Sequence, residues 1–280
     1  MSTRLSNIVV LLIFGGFILF RTIYPPQQTD QFSQTIFNLS IELVGGIILF
    51  SILQFLQNIK ILKFYFQTQF LYRKTEIRLS LAYLYRIKIN GKYLLVKSNH
   101  RDYFQPVGGV YKTLPSSEVI FDKLDVKSDR LIETENGIAK GDLRVFVKGI
   151  NVIEFLEWYD SKKNREISPW REFCEELIDT DILNAKKFRF IDYKFMGSFK
   201  TPIINLDSGD KGLFIYDIFD IIPNNEQLLE LENLLKTGNS EKIIWVEDYL
   251  INTLGQDRKK HLYNISPHTK WALNMKWMKP

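Results

Sequence analysis

The sequence predicts two transmembrane α-helices followed by an α+β domain built on a mixed β-sheet, and three observations predict it. Two apolar stretches, Leu5–Tyr24 and Ile36–Leu56, are each about 20 residues long, the length a helix needs to cross a ~30 Å hydrocarbon core. An Asn90-Gly91 pair between β-rich runs marks a hairpin soon after them. From there on, strand-like and helix-like segments are mixed without a regular βαβ repeat, which favours α+β or a mixed-sheet sandwich over a doubly wound sheet. The expected organisation is a two-helix segment over 1–57, a juxtamembrane linker over 58–78 and a folded domain over 79–280.

The first stretch has a continuous apolar core, Ile8–Phe20, with Arg21 placed to snorkel to the interface. A signal peptide is the competing reading of so short a core. Against it, Pro25-Pro26-Gln27-Gln28 follows in place of a small-residue cleavage site, and the second stretch begins within a dozen residues. Arg4 precedes the first stretch, Lys60, Lys63, Arg73 and Lys74 follow the second, and Pro25–Thr35 holds no Lys or Arg. The positive-inside rule then puts both termini in the cytoplasm. Gly15-Gly16 and Gly45-Gly46 would allow close helix approach, and Glu42 would either line an assembly interface or reach back to the headgroups.

Formal net charge is +5 in 280 residues, which suits an anionic surface or a nucleotide ligand as well as a solvated face. The single cysteine, Cys174, excludes an internal disulfide, and with only His100, His261 and His268 there is no zinc spacing.

Along the domain, Asn58–Lys74 carries apolar and aromatic residues among lysines and reads as a linker helix. Leu79–Ile89 and Lys92–Val96 flank the hairpin turn, and further strands are expected at Leu143–Val147, Phe188–Phe195, Gly212–Ile222 and Lys242–Val246. Helices are expected at Ile153–Tyr159, Pro169–Asp179, Asn225–Lys236 and Pro267–Asn274. Trp271, Trp277 and His268 belong either to a packed terminal helix or to a partner surface.

Two segments carry chemistry. In Arg171-Glu172-Phe173-Cys174-Glu175-Glu176-Leu177, with Ser168 as N-cap and Pro169 as first helical residue, the three glutamates fall on one arc at 100° per residue and Arg171 can pair with Glu175. Converging carboxylates suit a hard cation such as Mg²⁺, and the same pattern suits a solvated acidic helix face. Upstream, Arg101-Asp102-Tyr103-Phe104-Gln105-Pro106-Val107-Gly108-Gly109 follows a strand, and its glycines permit a tight turn and close approach of backbone to a ligand.

Together these segments resemble the Nudix family, which pairs a strand, a proline and a Gly-Gly turn with a helix reading Arg-Glu-x-x-Glu-Glu. The resemblance implies a Nudix-like α/β/α sandwich around a mixed sheet, with Glu172, Glu175 and Glu176 as metal ligands and Mg²⁺ as the candidate ion. The sequence departs from the family in the roughly 60 residues between Gly109 and Arg171, in Pro115 where a glutamate is expected, and in Ile178 where a glycine ends the motif. An insertion at 111–165 and the two apolar stretches make the chain similar to the SMODS-associated Nudix domains of bacterial anti-phage signalling (CBASS). That likeness implies a receptor-effector of the bacterial inner membrane that binds a cyclic oligonucleotide, no nucleic-acid polymer, and self-associates in the lipid bilayer. Arg101, Arg144 and the Gly108-Gly109 backbone would contact phosphate, and Tyr103 and Phe104 would stack on bases. A membrane-anchored Mg²⁺-dependent hydrolase of a nucleoside diphosphate derivative is the alternative reading.

Overall fold

The computed structural model describes residues 15–16, 18–19, 21–23, 31–99, 101–132, 140–258 and 260–275. The chain divides into two compact units, Met1–Phe66 and Gln67–Pro280. In the first, helix α1 spans Gln31–Phe66, and the Arg21 guanidinium lies 4.8 Å from the centre of the Phe37 ring.

The expected pair of membrane spans is corrected here: among the described residues no helix is long and apolar enough to cross a membrane. Most of Leu5–Tyr24 lies outside the described residues. Ile36–Leu56 falls within α1, whose first turns carry Gln31, Gln34, Asn38, Ser40 and Glu42, groups that are costly in hydrocarbon. Without spans, the inner-membrane location and the topology drawn from the positive-inside rule lose their basis, as does membrane packing at Gly15, Gly16, Glu42, Gly45 and Gly46. Nothing lies within 4 Å of the Cβ position at any of those four glycines.

The second unit opens with a π-helical turn, Gln67–Leu71, and strand β1, Glu76–Arg86. The expected strand Leu79–Ile89 is divided: β1 ends at Arg86, and β2, Lys88–Ile89, belongs to another sheet. β2 joins β3, Lys92–Lys97, through Asn90 and Gly91, both at positive φ (48° and 82°), as the hairpin signal requires. β4 is Phe104–Gln105, β5 Gly108–Val110, β6 Lys127–Ser128 and β7 Arg144–Lys148. β8 is Asp192–Lys200, displaced toward the C-terminus from the expected Phe188–Phe195, followed by β9, Ile204–Asn205, β10, Lys211–Ile222, and β11, Ile243–Val246.

The large sheet runs β6-β7-β1-β10-β8, with β5 also on β1 and β9 on β10. β1 pairs in parallel with β10 and antiparallel with both β7 and β5, so the sheet is mixed, as expected. β7 lies beside Glu76–Ser80 and β5 beside Ala82–Leu84 on the same edge of β1. The smaller sheet runs β11-β3-β2, with β4 on β3.

Helices lie on both faces of the large sheet. After α2, Glu118–Lys123, α3 spans Gly149–Asp160. It meets one face through Tyr159, whose ring packs 5.8 Å from Tyr111. Beside it α4, Trp170–Phe173, continues as a π-helical turn, Cys174–Ile178, with Phe173 5.6 Å from Tyr85. After α5, Asn225–Thr237, capped by reciprocal Asn224 and Gln227 bonds, and α6, Asp248–Asn252, α7 spans Pro267–Asn274. It covers part of the opposite face, where Ala272 packs against Leu84 and Ile218.

Candidate functional site

The two motif segments, about 60 residues apart in the chain, meet in space. Glu176 Oε2 accepts a 2.7 Å hydrogen bond from the Gly108 backbone N–H, and Glu176 Oε1 one of 3.3 Å from Gln105 Nε2. A Cβ on Gly109 would fall 2.1 Å from the Glu172 carboxyl carbon, so glycine there lets the helix seat its carboxylate on the strand. Gly108 has φ 143°, and a Cβ there would fall 2.2 Å from the Tyr83 carbonyl oxygen. Backbone geometry therefore requires the glycine at 108, and the glycine at 109 leaves room for the Glu172 side chain.

Arg171 ties the helix to the same strand. Its Nη2 donates to the Val110 carbonyl at 2.8 Å and to Glu166 at 3.2 Å, and its Nη1 to Glu172 at 2.6 Å and Glu175 at 3.3 Å. The expected Arg171–Glu175 pair is present, and Glu166, which sequence reasoning missed, is a further carboxylate from the end of the insertion. Burial opposes the Arg171 charge, yet Glu172 and Glu166 hold the guanidinium firmly protonated.

Burial pushes the Glu172 carboxyl up against the pull of Arg171. Burial pushes Glu176 further, to about 8, although the Gly108 N–H favours its charged form. Asp142 stands nearby, raised by burial and answered by Lys112 and by Arg144, the latter at 2.9 Å.

This arrangement does not fit a resident divalent cation. Mg²⁺ asks for several oxygen ligands in near-octahedral geometry, and among the described residues no group of three His, Cys, Asp or Glu side chains is arranged to hold a metal ion. Arg171 takes the place of a cation for Glu172 and Glu175, while Glu176 is turned to the Gly108 amide. The π-helical turn at Cys174–Ile178 changes the 100° spacing that put all three glutamates on one arc.

Behind the helix, the buried Asp217 carboxylate accepts from Tyr111 Oη at 2.7 Å, from Tyr159 Oη at 3.0 Å and from Ser198 Oγ. Arg165 lies over both tyrosine rings, 4.7 and 3.9 Å from their centres. This network braces the strand that carries Gly108-Gly109.

The remaining expected ligand residues differ in exposure. Phe104 is buried with Leu95, Ile244 and Ile265 in the core beneath the smaller sheet. Tyr103 is half-buried and Arg101 exposed. Arg144 is half-buried on β7. The Gly108 amide proposed for phosphate is taken by Glu176.

A family model described as SMODS-associated NUDIX domain matches residues 76–273, from the first residue of β1 into the last turn of α7. No curated protein matches the chain.

Proposed function

The chain belongs to the SMODS-associated NUDIX domain family, and on that premise we propose that its domain is a receptor for a cyclic oligonucleotide second messenger of bacterial anti-phage signalling, not a nucleotide hydrolase. One observation carries this reading. The Nudix-like turn and helix are assembled, but their carboxylates are satisfied within the protein by Arg171 and the Gly108 amide. A metal-dependent hydrolase needs such carboxylates free to hold the ion that generates hydroxide and steadies phosphate charge. The assembled helix instead holds β5 rigidly in the sheet, as a binding scaffold requires.

The discriminating experiment compares the full chain with Glu175→Gln and Glu176→Gln, incubated with cyclic di- and trinucleotides with and without Mg²⁺. The receptor reading expects binding by all three proteins and no breakdown products from any. Mg²⁺-dependent breakdown by the parent chain that both substitutions abolish would replace it with the hydrolase.

A further inference from the structure

On the face of the large sheet opposite α4, Ala82 of β1 is in register with Tyr216 of β10, and Tyr216 with Phe199 of β8. α7 crosses this face. Trp271 is buried and packs 6.0 Å from both Phe199 and Tyr216. One turn earlier on α7, His268 lies nearly parallel to Tyr216, with planes 11° apart and centroids 5.8 Å apart. Tyr103 meets His268 edge-on at 6.0 Å. Ser266 Oγ lies 3.1 Å from His268 Nε2 and 2.9 Å from Thr269 Oγ1, which fixes the ring.

Phe199 and Trp271 are buried, whereas Tyr103, Tyr216 and His268 are mostly buried and keep some solvent exposure. The aromatic cluster thus reaches from the core toward the surface at these three rings. Cations act on these rings. The charge of Arg101, exposed and two residues from Tyr103, acts on His268, and that of Arg144 acts on Tyr216. Arg144 shares the one carboxylate of Asp142 with Lys112.

Resting on the cyclic-oligonucleotide reading, we propose that Tyr216, His268 and Tyr103 form the stacking platform for a nucleobase, with Arg101 and Arg144 flanking it to take phosphate. Stacking on aromatic rings beside guanidinium groups is the general solution for holding a base and its backbone charge together. Burial and Arg101 push the His268 pKa down to about 4, so its ring is an uncharged aromatic at neutral pH.

The test measures binding of cyclic di- and trinucleotides, and of 5′-AMP and 5′-GMP, to the full chain by calorimetry, with the His268 ring followed by NMR. His268→Ala and Tyr103→Ala are each expected to weaken binding at least about tenfold, His268→Phe to restore it, and Val119→Ala on α2 to leave it unchanged. Unaltered thermal unfolding of the variants separates lost stacking from lost fold. Cyclic nucleotides that bind the parent and both alanine variants equally would overturn the platform and leave the receptor reading standing. Mononucleotides that shift the His268 ring while no cyclic nucleotide binds would support the platform and overturn the receptor reading. Silence from every nucleotide would overturn both.

Discussion

Ala82 and Tyr83 are neighbours on β1, yet the two sheet faces to which they belong are built on opposite terms. On the Tyr83 side, Glu166, Glu172, Glu175 and Glu176 are answered by Arg171 and a backbone amide, and Asp217 by two tyrosines and a serine. On the Ala82 side, three rings keep partial exposure and feel the charge of Arg101 and Arg144. The first face spends its polar groups on holding the fold together. The second leaves aromatic surface and positive charge within reach of solvent. On the proposed reading, a motif whose residue types announce chemistry serves here as architecture.

If the first face is architectural, changes there should cost stability before anything else. Gly108→Ala sets a Cβ 2.2 Å from a carbonyl oxygen at φ 143°, and chemical denaturation should show a loss of at least about 3 kcal/mol. A smaller loss would mean that the turn relaxes and is not required. Arg171→Met leaves Glu166 and Glu172 without their shared cation, for an expected loss of about 2–3 kcal/mol, below the range for a fully buried pair because Arg171 keeps some exposure.

The two faces should also titrate in opposite directions. Glu176 has a folded pKa pushed up to about 8, so between its ordinary value and 8 the folded state holds more protons than the unfolded, and stability falls as pH rises through that window. His268, pushed down to about 4, stays neutral in the fold while the unfolded chain takes a proton, so stability falls as pH drops from about 6.5 toward 4. The two slopes cancel where the windows overlap, so unfolding free energy measured across pH 4–9 should hold a broad maximum over about pH 4.5–6.5 and fall above it. Glu176→Gln should leave stability rising to about pH 6.5 and level beyond, and His268→Gln should leave it falling from about pH 4.5 upward. The smallest effect is expected for Glu175→Gln, within about 0.5 kcal/mol, because this carboxylate is 41 % exposed and its contact with Arg171 is 3.3 Å long. A large loss there would extend the architectural role to the outer edge of the helix.

Local chemistry was legible in the sequence wherever it decided structure. Asn90-Gly91 makes its hairpin, α7 spans its expected Pro267–Asn274, and the Arg171–Glu175 pair forms. What tertiary pairing decides was not legible. The run Leu79–Ile89 keeps a strand-like composition to its end, and neither Arg86 nor Lys88 within it marks the passage from one sheet to the other. Phe188 reads as strand by type, but it is buried against Phe173 ahead of β8. Phe104 and Tyr103 look equally suited to stacking, and only the register of β4 on β3 sends Phe104 into the core. The apolar residues of α1 suggest a span, but Asn38, Ser40 and Glu42 interrupt them. Tyr216 and His268 carry no motif, and their juxtaposition exists only once α7 lies across β10.

The central claim is that the Nudix-like helix is kept as a frame while the domain binds a cyclic oligonucleotide. Calorimetric titration of the full chain with cyclic di- and trinucleotides, with and without Mg²⁺ and with the products analysed by chromatography, tests it most directly. The account predicts saturable binding to at least one of them, unchanged by Mg²⁺, with the ligand recovered intact. Breakdown of the ligand that appears only with Mg²⁺ would contradict it.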